Sequence, residues 1–325
     1  MRRRDVIGGL LTTLLGPPRH AFAQRSGKSP HVGVLVSASP PHPFADALRR
    51  GLQTFGYVDG KNIRLDVRYT EGRSDRASAL AGELVRAGVD MIVAHFTPAV
   101  RAAMGATRTI PIIMGPAGAP LQTGFIQSLA RPGGNVTGLS GMDAELGGKR
   151  LQLLRQLIPH LRCVAVLAST PATDPFGAPF VEDLRSAAAQ AGLRLEPVLV
   201  DGPAGFPGAF AAMVKAEAQA FIVQGLFDPH RAVLIELAGK HRLAYMSSVR
   251  DTAVAGALVA ISANYEALYE RAAYYVDRII KGANPATLPV EQPAKFQIVI
   301  NARTARALGL TLSPTLLSQV DEVVE

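Results

Sequence analysis

Two stretches in the two halves of the chain are written to one plan, and that recurrence constrains the fold more than any other feature. In the first half the apolar run His31-Val32-Gly33-Val34-Leu35-Val36 gives way to Ser37-Ala38-Ser39-Pro40 and then to a helix opening near Phe44. In the second half Cys163-Val164-Ala165-Val166-Leu167-Ala168 is followed by Ser169-Thr170-Pro171, Phe176, Gly177 and another helix. A short, continuously apolar run bounded by turn residues reads as a strand buried on both faces. Two lobes of like topology are the economical explanation.

The intervening pattern fits crossover units. Phe44, Ala47, Leu48, Gly51, Leu52 and Phe55 share one face of a helix that Gly56 stops. Ile63, Leu65, Val67 and Tyr69 alternate with Arg64, Asp66 and Arg68, as in a strand with one wet face. A helix through Ala77, Leu80 and Leu84, a strand over 90–94, a helix over 98–106 and a strand over 111–114 complete this half. The second half reads as a helix over about 143–157, a helix ending at Gly192, strands over 195–200 and 220–223, and helices over 206–217 and 229–241. Short strands over 243–246 and 257–261, a long amphipathic helix over 265–280, a strand over 296–300 and a helix over 304–308 finish the chain. Strands separated by single helices mean parallel sheets covered on both faces. The expected fold class is α/β, with two similar doubly wound parallel-sheet lobes joined by a hinge.

Between the halves lies Ala130-Arg131-Pro132-Gly133-Gly134-Asn135-Val136-Thr137-Gly138. Proline fixes one backbone angle and glycine opens angles closed to other residues, so a hinge is expected near 131–138. The expected organisation is a signal peptide over 1–23, one lobe from 31–140 plus about 265–290, and a second from 141–264 plus about 291–325.

The leader rests on Arg2-Arg3-Arg4, an apolar run over 6–15 too short to span a bilayer, and the A-x-A site Ala21-Phe22-Ala23. Cleavage after Ala23 and a periplasmic location are expected, and the tandem arginines point to the twin-arginine export route. Removing the leader takes away four arginines and one aspartate, which lowers the formal net charge from +8 to +5. The remaining basic residues are scattered among acids along helices, a pattern that argues against nucleic-acid binding. The single cysteine, Cys163, allows no internal disulfide and opens an apolar strand, where it serves as a small buried hydrophobe.

In doubly wound sheets ligands sit beyond the strand carboxyl ends. That position holds Ser37, Ser39, His95, Thr97, Gly115, Ser169, Thr170, Gln224, Asp228, Ser247 and Arg250, which are the candidate ligand-binding residues; Ser248 and Ser262 share the position. Small hydroxyls beside helix N-termini suit a carboxylate, and a polar lining on an apolar scaffold suits a small zwitterionic or hydroxylated ligand. The same residue types are also common helix caps. Arg250 and Asp251 stand ready either to hold charged ends of a ligand or to pair with each other.

Catalytic signatures are missing. Gly138-Leu139-Ser140-Gly141-Met142 only approaches the G-x-S-x-G elbow, no phosphate- or dinucleotide-binding glycine motif occurs, and no histidines have metal-ligand spacing. Neither cofactor nor metal is expected, and the protein is not expected to be an enzyme.

Several strings resemble the substrate-binding proteins of ABC transporters with the type I periplasmic-binding-protein fold, in the branch similar to tryptophan and tyrosine binders. They are Gly56-Tyr57-Val58-Asp59-Gly60-Lys61-Asn62-Ile63, Thr109-Ile110-Pro111-Ile112, 129–138, Glu145-Leu146-Gly147-Gly148-Lys149-Arg150-Leu151, Leu288-Pro289-Val290-Glu291-Gln292-Pro293 and Lys295-Phe296 with Ile298-Val299-Ile300-Asn301. The resemblance implies a monomer that captures a small polar or amino-acid-like ligand between two lobes and delivers it to a permease and ATPase in the inner membrane. A periplasmic sensor feeding a signalling partner is the alternative. Gly118-Ala119-Pro120 stands where the family commonly has Gly-Asp-Pro. The segment 256–262 departs from the usual Gly-Gly-Leu-Met-Ser-Tyr-Gly. A carboxylate and an aromatic ring are thereby lost near the expected cleft, which implies a changed, less cationic ligand.

Overall fold

In the computed structural model, which describes residues 29–325 apart from 72, 74 and 142–145, β1 (His31–Val36) is buried along its whole length. It joins β2 (Arg64–Tyr69), β3 (Met91–His95), β4 (Ile112–Ala117) and β5 (Val136–Ser140) in a parallel sheet of order β2-β1-β3-β4-β5. The crossovers are α1 (Pro43–Thr54), α2 (Arg76–Arg86) and α3 (Phe96–Ala106). Because successive strand side chains point to opposite faces, Val32, Val34 and Val36 pack with Phe44 and Leu48 of α1. Leu35 packs instead with Leu80 and Leu84 of α2 and Val100 of α3.

The second sheet holds β6 (Cys163–Ser169), β7 (Arg194–Val200), β8 (Ala220–Val223), β9 (Ala244–Ser247), β10 (Val259–Ala263), β11 (Phe296–Asn301) and β12 (Glu322–Val324). Its order is β12-β11-β10-β9-β8-β6-β7, and β10 with β11 is its antiparallel pair. Around it lie α4 (Gly147–Leu157), α5 (Gly177–Ala191), α6 (Phe206–Lys215), α7 (Arg231–His241) and α8 (Arg250–Ala255). After β10 comes α9 (Tyr265–Ile280), which returns to the first lobe and packs on α1, where Arg50 pairs with Glu266 and Glu270 at 2.5 and 2.8 Å. The short helices α10 (Ala302–Ala307) and α11 (Pro314–Leu317) flank β11 and β12. The fold is thus α/β with two parallel-sheet lobes, as the recurrence implies.

The segment 131–138 differs from its expected role. Its second half is β5, buried throughout and paired with β4 from Ile112↔Val136. Gly138, at φ +123°, sits where the register shifts between Met114 and Ala117, and a Cβ there would lie 2.4 Å from the Met114 carbonyl oxygen. Glycine at 138 therefore serves a close approach inside a sheet. The chain leaves this lobe beyond Ser140. It returns at Asn264 between β10 and α9, and crosses again between Glu291, whose N–H donates to the Gly138 carbonyl at 3.0 Å, and β11.

Local boundaries also shift. The helix expected from 98 begins at Phe96, and the one expected from 229 begins at Arg231 after a 3-10 turn over Gly225–His230 that contains Pro229. The strand expected over 257–261 begins at Val259, because Ala257 donates its N–H to Thr252 and closes α8. The start expected for the helix over 143–157 and the leader over 1–23 lie outside the described residues. Among the described residues no helix is long and apolar enough to cross a membrane.

Candidate functional site

The carboxyl edges of the two sheets meet. On the first lobe that edge carries Ser37 after β1, His95 and Phe96 at the end of β3, Thr97 at the start of α3, and Gly118 after β4. On the second it carries the loop 170–176 after β6, Gln224 to Asp228 after β8, and Ser247 to Arg250 after β9. Arg101 of α3 reaches the loop after β6, donating to the carbonyls of Pro171, Ala172 and Thr173 at 3.1, 2.7 and 3.1 Å. Gly118 lies against the Phe176 ring so closely that a Cβ there would come within 2.6 Å.

On the first lobe the edge is aromatic. His95 is fully buried, its Nε2 lies 3.2 Å from the Tyr269 hydroxyl, and its ring packs against those of Phe44 and His42, each centroid 4.7 Å away. Burial, with a smaller effect from His42, holds the His95 imidazole well below the usual histidine range, so it is neutral at pH 7. Its Nδ1 is buried and has no hydrogen-bond partner, and neither does the buried Oγ of Ser37. Phe96 adopts φ +65°, its ring 4.0 Å from that of His95 and 6.0 Å from that of Tyr265. The Oγ of buried Thr97 accepts the Gly118 N–H at 3.2 Å.

On the second lobe the edge is a polar relay. Ser169 donates its N–H and its hydroxyl to Gln224 Oε1 at 2.8 and 2.9 Å, and Gln224 Nε2 donates to Asp174 Oδ2 at 2.7 Å. The other Asp174 oxygen accepts the Phe176 N–H at 3.1 Å, which ties the loop to the start of α5. Asp174 is only 2 % exposed, and burial pushes its carboxyl up to about 6 against the opposing pull of that N–H and of Arg101. Thr170 and Thr173 hold Asp201 through their hydroxyls. Asp228 accepts from Thr252 and from Arg231, and burial raises its carboxyl above the ordinary range. The Ser247 Oγ accepts the Val249 N–H at 3.0 Å, and the Ser248 Oγ accepts from fully buried Arg150 at 2.9 Å.

The structure brings together Ser37, His95, Thr97, Ser169, Thr170, Gln224, Asp228 and Ser247 at these edges. Gly115 is placed differently: it lies inside β4, and the absence of a Cβ admits the Phe44 ring, which a Cβ would meet at 2.6 Å. Arg250 points elsewhere, gripping Glu322 of β12 with two bonds of 2.7 and 2.5 Å and Asp251 with one of 3.2 Å. Ser39 is exposed, and Ser262 donates to the carbonyl of Ala263. Two surface concavities of about 500 and 410 Å³, beside β7 and between α2 and α3, are lined by none of the strand-end candidates.

Sequence reasoning passed over Phe96, Arg101, Asp174, Tyr265 and Tyr269. The run Asp174-Pro175-Phe176-Gly177 is a capping signature that marks Asp174 as fixed at a helix start. Tyr265 and Tyr269, four apart, read as ordinary core of an amphipathic helix. Nothing in a phenylalanine announces a left-handed backbone.

A family model described as ABC transporter substrate binding protein matches residues 31–324. The chain is similar to a tyrosine-binding protein of Clostridioides difficile (strain R20291), 26% identical over 290 residues that span 88% of this chain and 82% of the relative. Its fold is similar to that of an ABC domain from Streptococcus pneumonia solved in complex with L-Trp, at TM-score 0.83 and 24% identity, covering 91% of this chain and 100% of that one. A conserved domain protein from Vibrio cholerae O1 biovar eltor gives TM-score 0.84 at 24% identity with the same coverage. Both likenesses support the type I periplasmic-binding-protein fold. With the matched span running from β1 to β12, the chain belongs to the ABC transporter substrate-binding protein family.

Proposed function

We propose that the protein is exported to the periplasm by the twin-arginine route. There it captures an amino-acid-like ligand between its lobes as a monomer and hands the closed complex to an ABC permease and its ATPase. The lobes of this reading are 31–140 with about 265–290, and 141–264 with about 291–325, hinged at the three crossings near 141–146, 264 and 292–295. Relatives named for tyrosine binding and solved with L-Trp favour an amino acid as the ligand class. Ser37, His95, Thr97, Ser169, Thr170, Gln224, Asp228 and Ser247 are the proposed ligand-facing set, with Ser39 at the rim.

The observation that carries this reading is the pair of buried, unpartnered polar atoms, Ser37 Oγ and His95 Nδ1, at the carboxyl ends of adjacent strands. A buried polar atom without a partner costs about 1–3 kcal/mol, a cost that a ligand group bonding to it would remove. Ser37→Ala tests the point. The empty variant is expected to melt no lower than the parent while binding its ligand about tenfold more weakly. A variant that binds as the parent does removes Ser37 from the site. Restoration of amino-acid uptake in a strain lacking the gene tests delivery.

A further inference from the structure

Phe96 is held in a conformation that suits glycine. At φ +65° its Cβ is crowded by its own backbone, a genuine outlier for a bulky side chain. Such strain persists where the surroundings over-determine it or where function requires it. Packing is a weak reason here. The aromatic cluster is anchored by Phe44, which is fully buried, and by Tyr269, 5 % exposed, while the Phe96 ring at its outer end stays only partly buried. Phe96 stands at the strand edge that meets the second lobe, beside Tyr265, where the chain crosses between lobes. A ring held there at a backbone cost, and not sunk into the core, is available to something that enters the cleft.

We infer that Phe96 is a specificity-determining residue: its ring is the platform against which a flat ring carried by an amino-acid ligand is laid. The inference rests on the reading of the cleft as a ligand site. It selects aromatic over aliphatic side chains, because offset or edge-on ring pairs gain beyond what area burial alone supplies. The neutral His95 imidazole behind Phe96 sets the tilt of the platform, with 35° between the two ring planes. The aromatic ring that the segment 256–262 lacks is thereby supplied from another strand end.

The test uses protein expressed from the full sequence and calorimetric titration with L-tyrosine, L-tryptophan, L-phenylalanine, L-leucine and L-methionine. The parent is expected to prefer the three ring-bearing amino acids. Phe96→Leu keeps apolar bulk and removes the π face, so it should weaken those three about threefold to tenfold while leaving leucine and methionine within about twofold. Phe96→Tyr should keep the preference. Phe96→Gly should lose it while melting no lower than the parent, since glycine relieves the backbone. Should Phe96→Leu retain the full aromatic preference, or the parent bind only solutes without a ring, the inference is overturned and the receptor reading stands. A parent that binds no solute overturns both.

Discussion

The guanidinium of Arg101 lies 2.7 Å from the carbonyl oxygen of Ala172, and the two residues belong to different lobes. Its bonds to Pro171 and Thr173 gather three successive carbonyls around one cation, so the loop after β6 is held to α3 without any ligand atom. Only interactions made in the closed form and absent from the open one shift that equilibrium, and this contact is of that kind.

Arg101→Ala should therefore weaken ligand binding without touching the ligand. Because the side chain is exposed, solvent screening reduces the contact to about 1 kcal/mol, or about fivefold in Kd. The melting temperature of the empty protein should move by no more than a degree or two. Calorimetry beside small-angle scattering checks this: unchanged affinity would show that the contact contributes nothing to closure.

Gly118→Ala acts on the same seam by sterics. The added methyl would sit 2.6 Å from the Phe176 ring, and overpacking of that kind costs about 1–3 kcal/mol inside a core. Here the lobes can part to relieve it. The expected outcome is a larger radius of gyration and weaker ligand binding with only a small loss of melting temperature.

Asp174 gives the protein a defined pH response. Its carboxyl is raised from the ordinary 3.8 to about 6 by burial, so the folded state holds the proton to higher pH than the unfolded chain does. Its contribution is fully present below about pH 4 and is lost as pH rises through 6. His95 works the other way: its depressed imidazole makes the folded state lose stability as pH falls below about 6.5. Asp174→Asn isolates the first effect. The difference in unfolding free energy between parent and variant, measured by urea titration, should shift toward the variant by about 1–3 kcal/mol between pH 4.5 and 7.5. A difference independent of pH would contradict the assignment.

Gly138→Ala tests the backbone account of β5. Positive φ and a 2.4 Å approach to the Met114 carbonyl oxygen together should cost at least 2–3 kcal/mol, read as a lower urea midpoint with an unchanged slope.

The strands and helices were legible because each apolar run is short, buried on both faces and fenced by turn residues, as in β1 and β6. What misled was local chemistry with two uses. The Pro-Gly-Gly run before β5 carries the flexibility of a hinge, yet tertiary pairing with β4 makes its continuation a buried edge strand. Arg250 has the charge of a ligand clamp, and only the arrival of β12 from the far end of the chain reveals Glu322 as its partner. Asp174 and Gln224 lie far apart in sequence and act together only because β6 and β8 are neighbours in the sheet. Ser169 and Gln224 were found by strand-end position alone, since position survives without knowledge of partners.

The most direct measurement is a thermal-shift series of the purified protein with each of the proteinogenic amino acids at millimolar concentration. A ligand present at about a hundred times its dissociation constant adds about 2.7 kcal/mol to the folded state, enough to raise the melting temperature by several degrees. The account predicts such a rise for one or a few amino acids, largest for those with aromatic side chains. A flat series from protein shown to carry no bound solute would contradict the claim that the cleft is an amino-acid site.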